Sequence, residues 1–323
     1  MKYKIKMTAI AFATVLCTIS AMAQSYPTKP IELQVPFAPG GTTDIVARVI
    51  SEPLGKALGQ PVVVINKAGG GGSVGAAETA RSNPDGYKLG VATVSSTAAN
   101  PAINPKTPYD PINDFTYVTN IAATPNIIAV HPSFPARNYK EFLAELKAHP
   151  GKYSYATSGA GGIGHLLMES YKSQTQTFVT HIPYRGAGPA LADTVGGQVS
   201  MIFDNFPSTY QQVKAGKLIP IVVAAPERLK ELPDVPTFKE VGLDSVNRMA
   251  YYGIVAQKNT PKEVVAKIHD GVVQALKDPA VRKRIEETGS IIIGNTPEQF
   301  TAQVKDELKV YKDVVAKQKL TLE

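Results

Sequence analysis

Apolar positions along this chain switch between two periods. Ile31-Glu32-Leu33-Gln34-Val35 steps at period two and predicts a strand. Pro and Gly break the pattern across 36–41. Ile45, Val46, Val49, Ile50, Leu54 and Leu58 then recur at helical spacing until Gly59, with Thr42, Thr43 and Asp44 as N-cap candidates. Residues 62–65 predict a β-branched strand, and a glycine run covers 69–72. A small-residue helix from 73 to about 81 comes next, then the turn Asn83-Pro84-Asp85-Gly86 and a strand over 89–94. Strand, loop and helix in repetition indicate a doubly wound α/β sheet.

The repetition restarts beyond the prolines at 101, 105, 108 and 111. Strands are expected at 127–130, 153–156, 178–182, 199–203 and 218–224, with helices at 139–149, from 166, and at about 189–195. Beyond residue 250 the pattern holds one apolar strand, 251–256, and helices opened by Pro261 and Pro297. That is too little for a third sheet, so the tail is expected to return to the first unit. The expected organisation is a signal segment over 1–23, a first lobe of 24–123 with 249–323, and a second lobe of 124–248.

The first residues belong to neither lobe. Lys2, Lys4 and Lys6, an apolar run over 7–19 and Ala21-Met22-Ala23 read as a secretory signal cleaved after Ala23. The run is too short to span a bilayer. Leu16 before Cys17 does not suit a lipoprotein signal.

Export changes the composition. The chain has 323 residues, 43% hydrophobic and 19% charged, with a formal charge of +7. Losing 1–23 removes three lysines and the single cysteine, which leaves 300 residues, a charge of +4 and no cysteine. A disulfide frame and thiolate chemistry are thereby excluded. Scattered charge without Lys/Arg and aromatic interleaving argues against a nucleic-acid partner.

Glycine-rich loops sit between strands and helices. Gly70-Gly71-Gly72-Ser73-Val74-Gly75 and Gly159-Ala160-Gly161-Gly162-Ile163-Gly164 both match G-x-G-x-x-G. Dinucleotide binding wants an acid at the end of the next strand. Phe178-Val179-Thr180-His181-Ile182 offers none, so no cofactor is expected. The run 69–72 is read as a tight turn that packs a helix. The turn at Pro39-Gly40-Gly41-Thr42 and the loop over 158–164 have a less demanding use: helix N-termini with open backbone bind anions without a charged side chain.

Gly71-Gly72-Ser73-Val74-Gly75 also matches the G-x-S-x-G elbow, which makes an exported serine hydrolase using Ser73 or Ser158 the rival reading. Several glycines separate Ser73 from the strand, contrary to an elbow. The five histidines show no metal-ligand spacing. Asp204 closes the run Met201-Ile202-Phe203 and points toward a crevice at a strand end. It serves either as a hydrogen-bond acceptor for a ligand or as the N-cap of a helix near Ser208. Of Tyr251 and Tyr252, one is expected to face a cleft. Asp44, Ser95 after the strand over 89–94, His165 and Tyr252 complete the candidates; His165 either touches a ligand from the first helical turn or caps and packs locally.

Several strings in order resemble the Bug family, the substrate-binding receptors of tripartite tricarboxylate transporters. They are Val35-Pro36-Phe37-Ala38-Pro39-Gly40-Gly41 with Asp44, Asn83-Pro84-Asp85-Gly86-Tyr87, His181-Ile182-Pro183-Tyr184-Arg185-Gly186, Gly196-Gly197-Gln198-Val199, Phe203-Asp204-Asn205, Lys214-Ala215-Gly216-Lys217 and Leu232-Pro233-Asp234-Val235-Pro236-Thr237. The resemblance implies a two-lobed α/β periplasmic-binding-protein fold of the type II, Venus-flytrap kind, with no enzymatic activity. It implies capture of a small carboxylate, dicarboxylate, amino acid or aromatic acid that is handed to membrane permease subunits, and a monomer is expected; a receptor that presents its closed form to a sensor protein is a further rival reading. It places Phe37, Pro39, Gly40, Gly41 and Thr42 on one jaw. Ser158, Gly159, Ala160, Gly161, Gly162, Ile163, Gly164 and His165 fall on the other, and Asp204 falls near the hinge-side floor, where amino-acid-binding members use it for the ammonium. Gly162 and Gly164 stand where members commonly carry Ser, Ile163 adds apolar surface there, Tyr251 stands where Trp is usual and Arg185 where Lys is usual, which implies an altered ligand with a more apolar body; Arg185 beside the cleft suits bidentate carboxylate binding, or is simply a surface residue.

Overall fold

The computed structural model describes residues 26–322. The expected signal segment and its cleavage point lie outside the described residues.

Two sheets organise the chain. The first contains β1 (Ile31–Val35), β2 (Val62–Asn66), β3 (Lys88–Thr93), β4 (Phe115–Thr124), β10 (Ala250–Gln257) and β11 (Ile291–Ile292), in the order β11-β4-β10-β3-β1-β2. The second contains β5 (Asn126–Val130), β6 (Ser154–Thr157), β7 (Thr180–Pro183), β8 (Met201–Asn205) and β9 (Ile219–Ala224), in the order β7-β6-β8-β5-β9. The chain crosses between sheets twice, at Pro125 and across 247–249. Its return strand β10 lies antiparallel between β3 and β4.

Helices cover these sheets. They are α1 (Thr42–Leu58), α2 (Ser73–Ala80), α3 (Asn100–Ile103), α4 (Tyr139–Ala148), α5 (Ile163–Thr175), α6 (Ala187–Val195), α7 (Phe206–Lys214), α8 (Lys262–Ala275), α9 (Pro279–Glu286) and α10 (Pro297–Gln318). Helix α1 buries Val46, Val49, Ile50, Leu54 and Leu58 on the stripe the spacing predicts and ends at Gly59 with φ 77°. Its N-cap is Gly41, one residue before the Thr42, Thr43 and Asp44 candidates.

Three elements depart from the sequence expectation. β1 alternates in sequence but is buried on both faces; Gln34 sits inside, its amide donating to the Gly75 carbonyl at 2.8 Å. β4 has no clean apolar period, because Thr119, Asn120 and Thr124 are among its buried residues. The proline-rich stretch begins with helical turns: a π turn over Ser95–Ala99 runs into α3, whose first turn accepts Pro101.

The tail is anchored by aromatics. Phe300 of α10 is fully buried, edge-on to Tyr117 at 5.1 Å and to Tyr251 at 5.5 Å between ring centroids. Gly253 of β10 leaves room for that ring, since a Cβ there would overlap it. Helix α10 also reaches the second sheet's helices, where Gln318 donates to the Ser170 hydroxyl at 2.9 Å.

Candidate functional site

The parallel strands β1, β3, β6 and β8 end toward one crevice, where open α/β sheets place their ligands. Phe37, Gly41, Thr42, Thr43, Thr93, Val94 and Ser95 line it from the first sheet's side, with Ala250 and Tyr252 of β10. Ser158, Ile163, Ala187, Asp204 and Asn205 line it from the other. Four helices begin at this lining: α1 after Gly41, α5 at Ile163, α6 at Ala187 and α7 after Asn205. Each aims the positive end of its macrodipole at the lining; first-turn N–H groups lack intrahelical acceptors, and those of α7 are taken by the Pro125 carbonyl and Thr42 Oγ1.

The jaws meet in this conformation. Ser95 Oγ accepts the Ile163 N–H at 3.0 Å, and the Ala38 N–H donates to the Arg185 carbonyl at 3.1 Å. Thr42 Oγ1 donates to Ser208 Oγ and accepts the Ser208 N–H, both at 3.1 Å. The cavity left between them is about 20 Å³, room for roughly one water. A ligand of several heavy atoms therefore enters only as the lobes separate.

Asp204 occupies the floor. It is the fourth residue of β8, 4% exposed, and accepts the Ser208 hydroxyl at 2.6 Å. Burial lifts its carboxyl to about 6, with the Ser208 hydroxyl and the Asn205 backbone only partly opposing. It is not a helix N-cap; Asn205 holds that position for α7. Asn205 instead joins the crossings: Tyr252 OH donates to Asn205 Oδ1, Asn205 Nδ2 to Asn126 Oδ1, and Asn126 Nδ2 to the Arg248 carbonyl. Burial and then Asp204 push the Tyr252 hydroxyl far above its ordinary range. Tyr251 faces the core, its hydroxyl paired with Thr97 at 2.6 Å.

Other candidates support the site without lining it. Asp44 accepts the Gly40 N–H at 3.1 Å and Asn66 Nδ2 at 3.0 Å, and both of its oxygens accept from Arg48 Nε. Burial opposes ionisation, but those hydrogen bonds outweigh it and hold the carboxyl below its usual value. Asp44 thus fixes the turn at Pro39 and Gly40 against α1 and β2. His165 Nδ1 accepts the Gly161 N–H at 3.1 Å, and its ring stacks on His181 at 4.2 Å, which in turn stacks on Tyr155. His181 Nε2 pairs with Thr157 Oγ1 at 2.7 Å. Burial, then His165 and Lys172, depress His181 to about 3.

The loop over 158–164 divides its labour. Ser158 and Ile163 reach the cavity; Gly159, Ala160 and Gly161 press on the first lobe. A Cβ on Gly159 would lie 2.9 Å from the Gly71 Cα, and Asn100 Nδ2 would crowd one on Gly161. The turn over Gly70–Gly72 is accordingly an interlobe contact as well as a helix lead-in. Gly162 is the N-cap of α5, and Gly164 packs under the Phe203 carbonyl. Arg185 is exposed and away from the lining; the geometry gives its guanidinium no seat in the cavity.

Thr93, Val94, Ala187 and Ala250 line the cavity without having been singled out from sequence, as do Thr43, expected only as an N-cap candidate, and Asn205, named only within a longer string. Ala187 was hidden because α6 starts two residues before the position its apolar pattern suggests. The histidine rings are engaged with Ser133, Glu145, Gly161, Thr157 and Asp270.

Residues 46–320 match the model of the tripartite tricarboxylate transporter family receptor. Protein BugT of Bordetella pertussis is 32% identical over 307 residues, 95% of this chain and 94% of that protein. A solved periplasmic transporter shares 52% identity at a TM-score of 0.91, covering 92% of this chain and all of its own. MatC of Rhodopseudomonas palustris, solved with bound malate, is 33% identical at a TM-score of 0.86, covering 90% of this chain and all of its own.

Proposed function

This chain belongs to the tripartite tricarboxylate transporter receptor family, and on that premise we propose that it captures a small organic acid between its lobes and delivers it to membrane permease subunits. The family is one of periplasmic binding proteins and not of enzymes. Residues 1–23 act as the export signal, removed after Ala23, and the mature protein works as a monomer. One observation carries the reading: four helix N-termini and the hydroxyls of Thr42, Thr43, Thr93, Ser95 and Ser158 surround one cavity that, among the described residues, has no cationic side chain in its lining. Backbone dipoles bind a carboxylate in such a setting. The malate in the related MatC structure is a ligand of the same chemical class.

Binding is a shift between open and closed arrangements. An acid favours closure only by contacts it makes with both jaws at once. The first jaw is Phe37, Gly41, Thr42 and Thr43, held by Asp44; the second is Ser158, Ile163 and Ala187. Asp204, Asn205 and Tyr252 form the floor, and the crossings at Pro125 and 247–249 act as the hinge. The lobes divide near 123 and 249. Ile163 adds an apolar wall to the second jaw and favours acids with an apolar body.

Calorimetric titration with a panel of mono-, di- and aromatic carboxylates tests this. At least one acid binds with a Kd in the micromolar range or below, about −8 kcal/mol. Flat heats across the panel refute it.

A further inference from the structure

The cavity lining contains one carboxylate and, among the described residues, no lysine, arginine or histidine. Asp204 accepts a hydrogen bond from Ser208, which itself accepts one from Thr42. The charged and titratable groups on the elements packed around it are engaged elsewhere. On α1, Asp44 pairs with Arg48. On β10, the Tyr252 hydroxyl donates to Asn205. On α5, His165 accepts the Gly161 N–H, and Glu169 holds Lys172 at 2.7 Å. On β6, Tyr155 donates to Glu169 at 2.8 Å. On α6, Asp193 accepts the Tyr184 hydroxyl at 2.6 Å. On α7, Tyr210 packs on Phe206 and Lys214 lies exposed in the last turn. β5 carries no titratable side chain.

An anionic ligand seated here meets a buried carboxylate with no counter-ion between them. Two carboxylates at close range in a low-dielectric pocket do not both stay ionised; one proton shared between them turns repulsion into a hydrogen bond. We propose that Asp204 takes up one proton from solution as an organic acid binds, and that the neutral carboxyl donates its O–H to the ligand carboxylate. The site then selects for an acid together with a proton. The inference rests on the reading of the cargo as an organic acid. Burial, against the hydrogen bonds from Ser208 and the Asn205 backbone, already holds the Asp204 carboxyl near 6, so the second anion has only to raise it further.

The alternative is a ligand ammonium against Asp204, as in a zwitterionic amino acid. Calorimetry separates the two. Malate, adipate, benzoate and glutamate are titrated into the protein at pH 6.5, 7.5 and 8.5, each in phosphate and in Tris. The difference in heat between buffers counts protons. The inference expects close to one proton taken up per acid bound at pH 7.5 and above, and a Kd that rises about tenfold between pH 7.5 and 8.5, the slope of one coupled proton. Asp204→Asn keeps a donor that does not titrate, so it retains or tightens acid binding and erases both the proton count and the slope. Acid binding without proton uptake overturns the inference and leaves the function standing. So does a folded Asp204→Asn, shown by an unchanged or raised melting temperature, that loses acid binding tenfold or more. Glutamate preferred over the acids, and abolished by Asp204→Asn, assigns an ammonium seat instead. If none of the four binds, the proposed function falls and this inference with it.

Discussion

Replacing Asp204 by Asn should stabilise the protein at neutral pH. The carboxyl is buried, and its pKa rises from 3.8 to about 6 on folding. A raised acid is bound more tightly to its proton in the folded state. Its contribution is therefore harmless below the unfolded value and becomes a penalty as pH climbs from about 4 through 6. A rise of that size corresponds to roughly 3 kcal/mol at pH 7.5 and to under about 1 kcal/mol at pH 4. Asn is nearly isosteric, and its Oδ1 still accepts the Ser208 hydroxyl. Urea denaturation of both proteins at pH 7.5 and pH 4 measures the difference. The variant should gain about 2–3 kcal/mol at the higher pH and almost nothing at the lower. An equal gain at both values, or a loss at pH 7.5, refutes the argument that desolvation governs this group. A carboxylate kept at such a cost is what a binding site, rather than a structural core, retains.

Gly159→Ala places a methyl against Gly71 at a φ of 150° and obstructs closure. Acid affinity should fall roughly tenfold or more while the melting temperature drops by only a few degrees; equal loss of both contradicts an interlobe role. Thr42→Val removes the hydroxyl that both donates to and accepts from Ser208. It should weaken closure by about 1 kcal/mol, seen as a larger radius of gyration in solution scattering with ligand present; an unchanged radius contradicts the latch. Phe300→Ala empties a fully buried aromatic site under α10 and should cost about 3–5 kcal/mol in urea unfolding; a cost below about 1 kcal/mol would show that α10 is not anchored there.

Much of the fold was legible because period and punctuation agreed. Helix α1 showed its apolar stripe and its glycine stop. The restart of strand and helix after the prolines foretold a second sheet, and the two-lobed architecture follows from it. β4 was illegible for a physical reason: it buries Thr119, Asn120 and Thr124, and the Asn120 backbone N–H and Nδ2 donate to Asn295 Oδ1 and Gln303 Oε1, residues 175 or more positions away. No local pattern encodes such a pairing. The site divided in the same way. Gly41, Thr42, Ser158, Asp204 and Tyr252 sit at strand ends or helix starts, or beside them, and lie at the cavity. Asp44 and His165 look like ligand contacts in sequence but act one step behind, holding Gly40 and Gly161. Arg185 belongs to a suggestive string, yet its side chain points to solvent, and only its carbonyl reaches the other jaw.

Backbone amides that grip an acid from both sides exchange their hydrogens more slowly once it is bound. Hydrogen exchange read by mass spectrometry, with and without a saturating carboxylate, should show protection in two stretches at once, 40–45 and 158–165, while β2 at the far edge of its sheet stays unchanged. Protection confined to one stretch, or none in either despite binding, would contradict capture between the two jaws.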